Sequence, residues 1–137
     1  KKIIILGNGG SNAISSHISV DYTKFLKIPT TTFTNTSMLT AYTNDYGQDK
    51  AYKYFLSDFY TPDTLIIFIS SSGNSKNILN AASYCETCNI PFMALSGFDS
   101  NNKLNQTNAI FKYHVPHNSY GVVELAHEIM LHSIINN

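Results

Sequence analysis

The chain has 137 residues, 43% hydrophobic and 13% charged, and its nine basic residues are balanced by nine acidic ones. That length supports one domain around a single core. A formal net charge of zero argues against a nucleic-acid or membrane-surface binder, which draws on a basic surplus. No uninterrupted apolar run approaches the ~20 residues that span a bilayer.

The first element is the apolar run Ile3–Leu6, which opens the chain directly behind Lys1-Lys2. Four apolar residues are too few for a secretory h-region. With no initiator Met, an N-terminal segment of the natural chain is expected to be absent from this sequence. The run breaks abruptly into Gly7-Asn8-Gly9-Gly10-Ser11, and a helical pattern follows over Asn12–Leu26. Glycines let a backbone approach a ligand, and the next helix aims its free N–H groups at it. A second strand is expected at Thr30–Phe33, leading into the polar loop Thr34-Asn35-Thr36-Ser37, then helices near Met38–Thr43 and Lys50–Phe59. A third strand, Thr64–Ile69, repeats the opening device and runs into Ser70-Ser71-Ser72-Gly73-Asn74-Ser75. Asn74-Ser75 is a plausible N-cap for the helix Ser75–Thr87. Strands at Pro91–Leu95 and Ala109–Tyr113 and a helix over Gly121–Ile135 complete the series, and all four prolines lie outside helix interiors.

Alternating helices and short apolar strands predict an α/β fold: a three-layer doubly wound (flavodoxin-like) parallel five-stranded sheet with right-handed crossovers. Ligands in such sheets sit outside the carboxyl ends of the strands, where the three polar loops converge. The Ser70–Ser75 loop offers four hydroxyls and a helix N-terminus, a combination suited to a phosphate. It lacks the lysine of a Walker loop, so a nucleoside triphosphate is not the expected ligand. The alternative is a serine-rich turn that only caps a helix. Cys85 and Cys88 form a lone C-x-x-C inside a helix; with no second pair to complete a zinc site, they read as two ordinary reduced thiols.

Imidazoles and carboxylates share helix faces at both ends of the chain. His17 and Asp21 are four apart, and the last helix carries Glu124, His127, Glu128 and His132. Such sets serve either as general acid/base pairs or as divalent-metal ligands. Spacing makes Glu128 the natural partner of His132, because Glu124 lies eight residues away, about 12 Å along the axis. His127 alone reads as a surface or core histidine, and His114 and His117 as loop residues.

In order, Gly7–Ser11, His17, Asp21, Asn35-Thr36-Ser37, Asn44-Asp45-Tyr46-Gly47, Ser70–Ser75 and His127-x4-His132 resemble the sugar isomerase (SIS) domain of phosphoheptose isomerases. Those enzymes interconvert sedoheptulose 7-phosphate and D-glycero-D-manno-heptose 7-phosphate. The resemblance spans essentially the whole chain and implies a single SIS domain over 1–137, preceded in the family by a helical segment. It implies an aldose–ketose isomerase acting through an enediol in lipopolysaccharide or capsule heptose synthesis. It further implies a cytoplasmic homotetramer with active sites at subunit contacts. Carried over by position, sugar-phosphate binding falls on Asn8, Gly9, Gly10, Ser11, Asn35, Ser70, Ser71, Ser72, Ser75 and Glu124. The catalytic carboxylate falls on Asp21 and the catalytic histidine on His132. Zinc or another divalent metal would be held by His17, Asp21, Glu124 and His132, so the resemblance prefers Glu124 where spacing preferred Glu128.

Three positions depart from the family pattern. Asp21 stands where Glu is usual, Glu124 where Gln is usual, and Asn35 where Asp is usual. These changes read as altered substrate or metal preference. They also keep open two rivals: a non-catalytic SIS module that binds a protein partner, such as a replication initiator, and an isomerase of another ketose phosphate.

Overall fold

A computed structural model describes residues 1–136. Its strands are β1 (Lys2–Gly7), β2 (Thr30–Thr32), β3 (Thr64–Ser70), β4 (Phe92–Gly97) and β5 (Phe111–Val115). The helices are α1 (Gly10–Asp21), α2 (Thr36–Tyr46), α3 (Gln48–Phe59), α4 (Lys76–Thr87) and α5 (Tyr120–Ser133). All strands are parallel, in the order β2-β1-β3-β4-β5, which is the expected flavodoxin-like arrangement. The order reverses between β1 and β3, so a crevice opens between the loops that follow them.

Alternation along the strands explains the two layers of helix. Ile4, Leu6, Ile66 and Phe68 point into one core, with Phe55 and Leu56 of α3 and Ile78 and Ala82 of α4. Ile3, Ile5, Ile67 and Ile69 point into the other, with Ile14 and Ile18 of α1 and Leu131 of α5. A strand buried on both faces selects β-branched residues throughout, and these runs supply them.

Element boundaries moved where a specific bond or pairing decided them. α2 starts at Thr36, earlier than expected, because the Asn35 side chain accepts the Met38 N–H at 3.1 Å and caps it. α1 continues through a π-helical turn, Tyr22–Leu26, and stops at Lys27, whose φ of 57° is left-handed. β5 lies two residues beyond the expected Ala109–Tyr113, since its register runs from Phe111 opposite Met93 to Val115 opposite Gly97. Ser75 occupies the N-cap position of α4 without a side-chain bond, and the Asn74 Oδ1 instead accepts the Lys103 N–H at 3.1 Å.

His127 is fully buried, and its Nε2 donates to the Ser96 carbonyl at 2.8 Å. Burial pushes its pKa down, opposed by that hydrogen bond and reinforced by nearby His114. A base with a lowered folded-state pKa stabilises the fold fully above its unfolded pKa, about 6.5. That contribution is lost as pH falls below it, because the unfolded chain then binds the extra proton. His127→Gln should therefore flatten the acid-side loss of stability, by at most about 1.4 kcal/mol per pH unit, as read from urea midpoints across a pH series. Cys85 is buried and its thiol is pushed up to about 12 by desolvation, whereas Cys88 is exposed. Thiol labelling of the native protein should modify Cys88 rapidly and Cys85 only after denaturant is added.

Candidate active site

The loops after β1 and β3 enclose a cavity of about 250 Å³. Its walls are Asn8, Gly9, Gly10 and Ser11 on one side and Ile69, Ser70, Ser71, Ser72 and Ser75 on the other, closed by Tyr120 and Glu124. The glycine loop is held from behind. Asn8 and Asn77 exchange two amide hydrogen bonds at 2.9 and 2.8 Å, and the buried Tyr52 hydroxyl donates to the Gly7 carbonyl at 2.6 Å. The serine loop is held by a turn in which Gly73 takes a φ of 66° and its N–H bonds Ser70. Helices α1 and α4 both begin here, so their free N–H groups and dipoles favour an anion. The chain contains no arginine and no lysine lines the cavity, so the donors it offers an anion are neutral. Ser71 Oγ is buried without a hydrogen-bond partner among the described residues, and an unspent hydroxyl in a polar cavity is ready to bond a ligand oxygen.

From this cavity α1 and α5 run side by side. On α5 the buried stripe is Val123, His127 and Leu131; the half-buried polar stripe is Glu124, Glu128 and His132. Glu124 lies at the cavity end, its carboxylate against Gly10. One and two turns further on, α5 meets His17 and Asp21 of α1. His17 Nδ1 lies 3.0 Å from Glu128 Oε1 and its Nε2 lies 3.3 Å from Asp21 Oδ2. His132 mirrors it, with Nδ1 3.6 Å from Asp21 Oδ2 and Nε2 3.8 Å from Glu128 Oε1. The two imidazoles stand edge to face, 5.0 Å between centroids. Among the described residues, His17, Glu128 and His132 form a group whose donor atoms all lie within 4.8 Å of one another.

A profile of the SIS domain family matches residues 1–97. A phosphoheptose isomerase from Aliarcobacter butzleri is 33% identical over 97% of this chain and 72% of its own length. One from Sulfurimonas denitrificans is 34% identical over 98% of the chain and 71% of its own length. The solved phosphoheptose isomerase of Neisseria gonorrhoeae superposes with a TM-score of 0.90 at 28% identity, covering 98% of this chain and 75% of that one. This chain belongs to the phosphoheptose isomerase family of SIS-domain proteins.

Against that family's pattern, most of the residues fall into two groups. Asn8, Gly9, Gly10, Ser11, Ser70, Ser71, Ser72, Ser75 and Glu124 share the cavity. His17, Asp21 and His132 share the cluster between α1 and α5. Two residues lie elsewhere than the resemblance implied. Asn35 does not line the cavity, because its side chain is spent on the α2 cap. Glu124 is not among the grouped donors; it projects toward Gly10, a turn nearer the cavity, and Glu128 takes the place beside His17 and His132. Helix spacing carried the signal for the Glu128–His132 pairing but not for the contact with His17. Tyr120 and Asn77 carried none, since a ring after a turn and an amide on a helix look ordinary in sequence.

Gly73 offers a direct test of the serine loop. A methyl there would overlap the Asn102 side chain, which anchors the neighbouring segment through bonds to Gly97 and Asp99 carbonyls at 3.1 and 2.8 Å. Its positive φ adds about 1–2 kcal/mol of strain for any L-residue. Gly73→Ala should lower the melting temperature and remove the stabilisation that added inorganic phosphate or a sugar phosphate gives the parent protein.

Proposed function

We propose that this protein is an aldose–ketose isomerase that interconverts sedoheptulose 7-phosphate and D-glycero-D-manno-heptose 7-phosphate. The observation that carries the reading is the alignment of two different sites along one pair of helices. Ser11 sits in the serine cavity, and His17 lies six residues later on the same helix, about 9 Å along its axis. A seven-carbon sugar phosphate can reach from one to the other; a triose phosphate is too short.

In this reading Ser11, Ser70, Ser71, Ser72, Ser75 and two helix N-termini bind the distal phosphate. That binding energy orients the carbonyl end over the cluster. Asp21 removes the proton from the carbon beside the carbonyl and returns it to the neighbouring carbon, through an enediol. His132 moves the proton between the two oxygens, and its 3.6 Å contact with Asp21 keeps the pair coupled. The donor set of two imidazoles and two carboxylates, with contacts between 3.0 and 3.8 Å, suits zinc or a similar divalent cation. His17, His132 and a carboxylate of the cluster would hold it, and when bound it would polarise the carbonyl and stabilise developing negative charge.

The same reading takes the protein as a cytoplasmic homotetramer with its sites at subunit contacts, working in lipopolysaccharide or capsule heptose synthesis. Three features support it. Val122, Leu125 and Ile129 form an exposed apolar stripe on α5, and His17 of the cluster remains more than half exposed in the single chain. The two free cysteines fit a reducing compartment.

Purified protein should convert sedoheptulose 7-phosphate in an NMR assay run in deuterated water, with solvent deuterium entering at the carbon that exchanges its proton. Asp21→Asn and His132→Gln should each lower turnover by about 10²–10⁴-fold with an unchanged circular dichroism spectrum. No turnover by the parent protein, or full turnover in either variant, would overturn the assignment.

A further inference from the structure

We infer that Glu128, rather than Glu124 or Asp21, is the carboxylate with which His17 and His132 hold a divalent cation in this chain, and that Glu124 reads the hydroxyls of the bound sugar. The metal half stands on geometry alone; the hydroxyl half rests on the isomerase reading.

The donor atoms are already spaced for one ion. Glu128 Oε1 lies 3.0 Å from His17 Nδ1 and 3.8 Å from His132 Nε2, and the three donors fall within 4.8 Å of each other. Around a tetrahedral ion with bonds of about 2.0–2.1 Å, neighbouring donors stand about 3.3 Å apart. Three protein donors leave a coordination position for substrate, the pattern of a catalytic rather than a structural site.

Asp21 occupies the complementary position. Its Oδ2 faces the other nitrogen of each ring, His17 Nε2 at 3.3 Å and His132 Nδ1 at 3.6 Å. A carboxylate on the far nitrogen of a metal-binding histidine fixes its tautomer and orientation. Without an ion, His17 Nδ1 and Glu128 Oε1 share a hydrogen bond at 3.0 Å; with a cation in that place, each imidazole would turn a lone pair to it and an N–H to Asp21. Relieved of the ligand role, the Asp21 carboxylate stays available for proton transfer, and His132 Nδ1 remains the route by which a proton passes between them. The shortening from Glu to Asp at position 21 is matched by a carboxylate supplied from α5.

Glu124 is separated from His132 by eight residues, about 12 Å of helix axis. It lines the serine cavity against Gly10. An anion there repels phosphate and accepts hydrogen bonds from hydroxyls, so it orders the ligand: phosphate on the Ser70–Ser75 side, hydroxyl-bearing carbons beside Glu124.

The test is a titration of metal-stripped full chain with Co²⁺, followed by its visible absorption and needing no substrate. The parent protein should bind one ion per chain. Glu128→Gln should weaken binding more than the roughly 10–100-fold expected for loss of an orienting carboxylate, and Asp21→Asn should weaken it within that range. Glu124→Gln should leave Co²⁺ binding unchanged while weakening sedoheptulose 7-phosphate and sparing inorganic phosphate. Circular dichroism checks that each variant folds. A parent protein that binds no Co²⁺, or a Glu124→Gln loss equal to that of Glu128→Gln, would overturn the metal assignment whatever the isomerase assay gives. Unchanged sugar-phosphate affinity in Glu124→Gln would overturn the hydroxyl assignment alone.

Discussion

The packing of α1 against α5 over the β1–β3 junction is the contact on which the rest of the molecule's chemistry depends. Ile14 and Ile18 of α1 and Leu131 of α5 close over Ile5, Ile67 and Ile69 of the sheet. Each buried aliphatic side chain contributes about 1.5–3 kcal/mol, whereas a typical hydrogen bond contributes about 0.5–1.5 kcal/mol net. Apolar burial therefore brings the helices together. The Tyr22 hydroxyl, donating to the Leu131 carbonyl at 2.8 Å, then fixes their relative height. The polar stripes meet in register only because this buried seam is in register.

Because both helices leave strand ends at the same edge of the sheet, their beginnings and their middles perform different tasks. The beginnings supply free N–H groups, serines and a carboxylate around one cavity. One and two turns later they supply two imidazoles and two carboxylates. A ligand with a charged end and a reactive end several ångströms away suits that layout. Hydroxyls and helix N-termini, with no lysine or arginine, line the cavity. Glu124 is the one carboxylate in that lining.

Much of the fold was legible because its signals are local. The strand at Ile3–Leu6 announces itself by β-branched residues buried on both faces, and Gly7–Ser11 and Ser70–Ser75 by the backbone freedom and hydroxyls that anion sites require. The His17–Asp21 and Glu128–His132 pairings follow from helical period. Less legible were features set by a partner distant in sequence. The start of β5 depends on where β4 ends, and the role of Asn35 depends on whether its amide finds the Met38 N–H before it finds a ligand. Glu124 and Glu128 share the same stripe of the same helix, so period alone could not tell which one meets α1 at the height of His17.

From residue order alone come the α/β class, the glycine- and serine-rich loops and the stock of imidazoles and carboxylates, because periodicity and turn chemistry act over a few neighbouring residues. Only the tertiary structure decides that Glu128 joins His17 and His132 while Glu124 faces the serines. That choice is made by the axial offset between two helices more than a hundred residues apart, and packing against the sheet sets that offset.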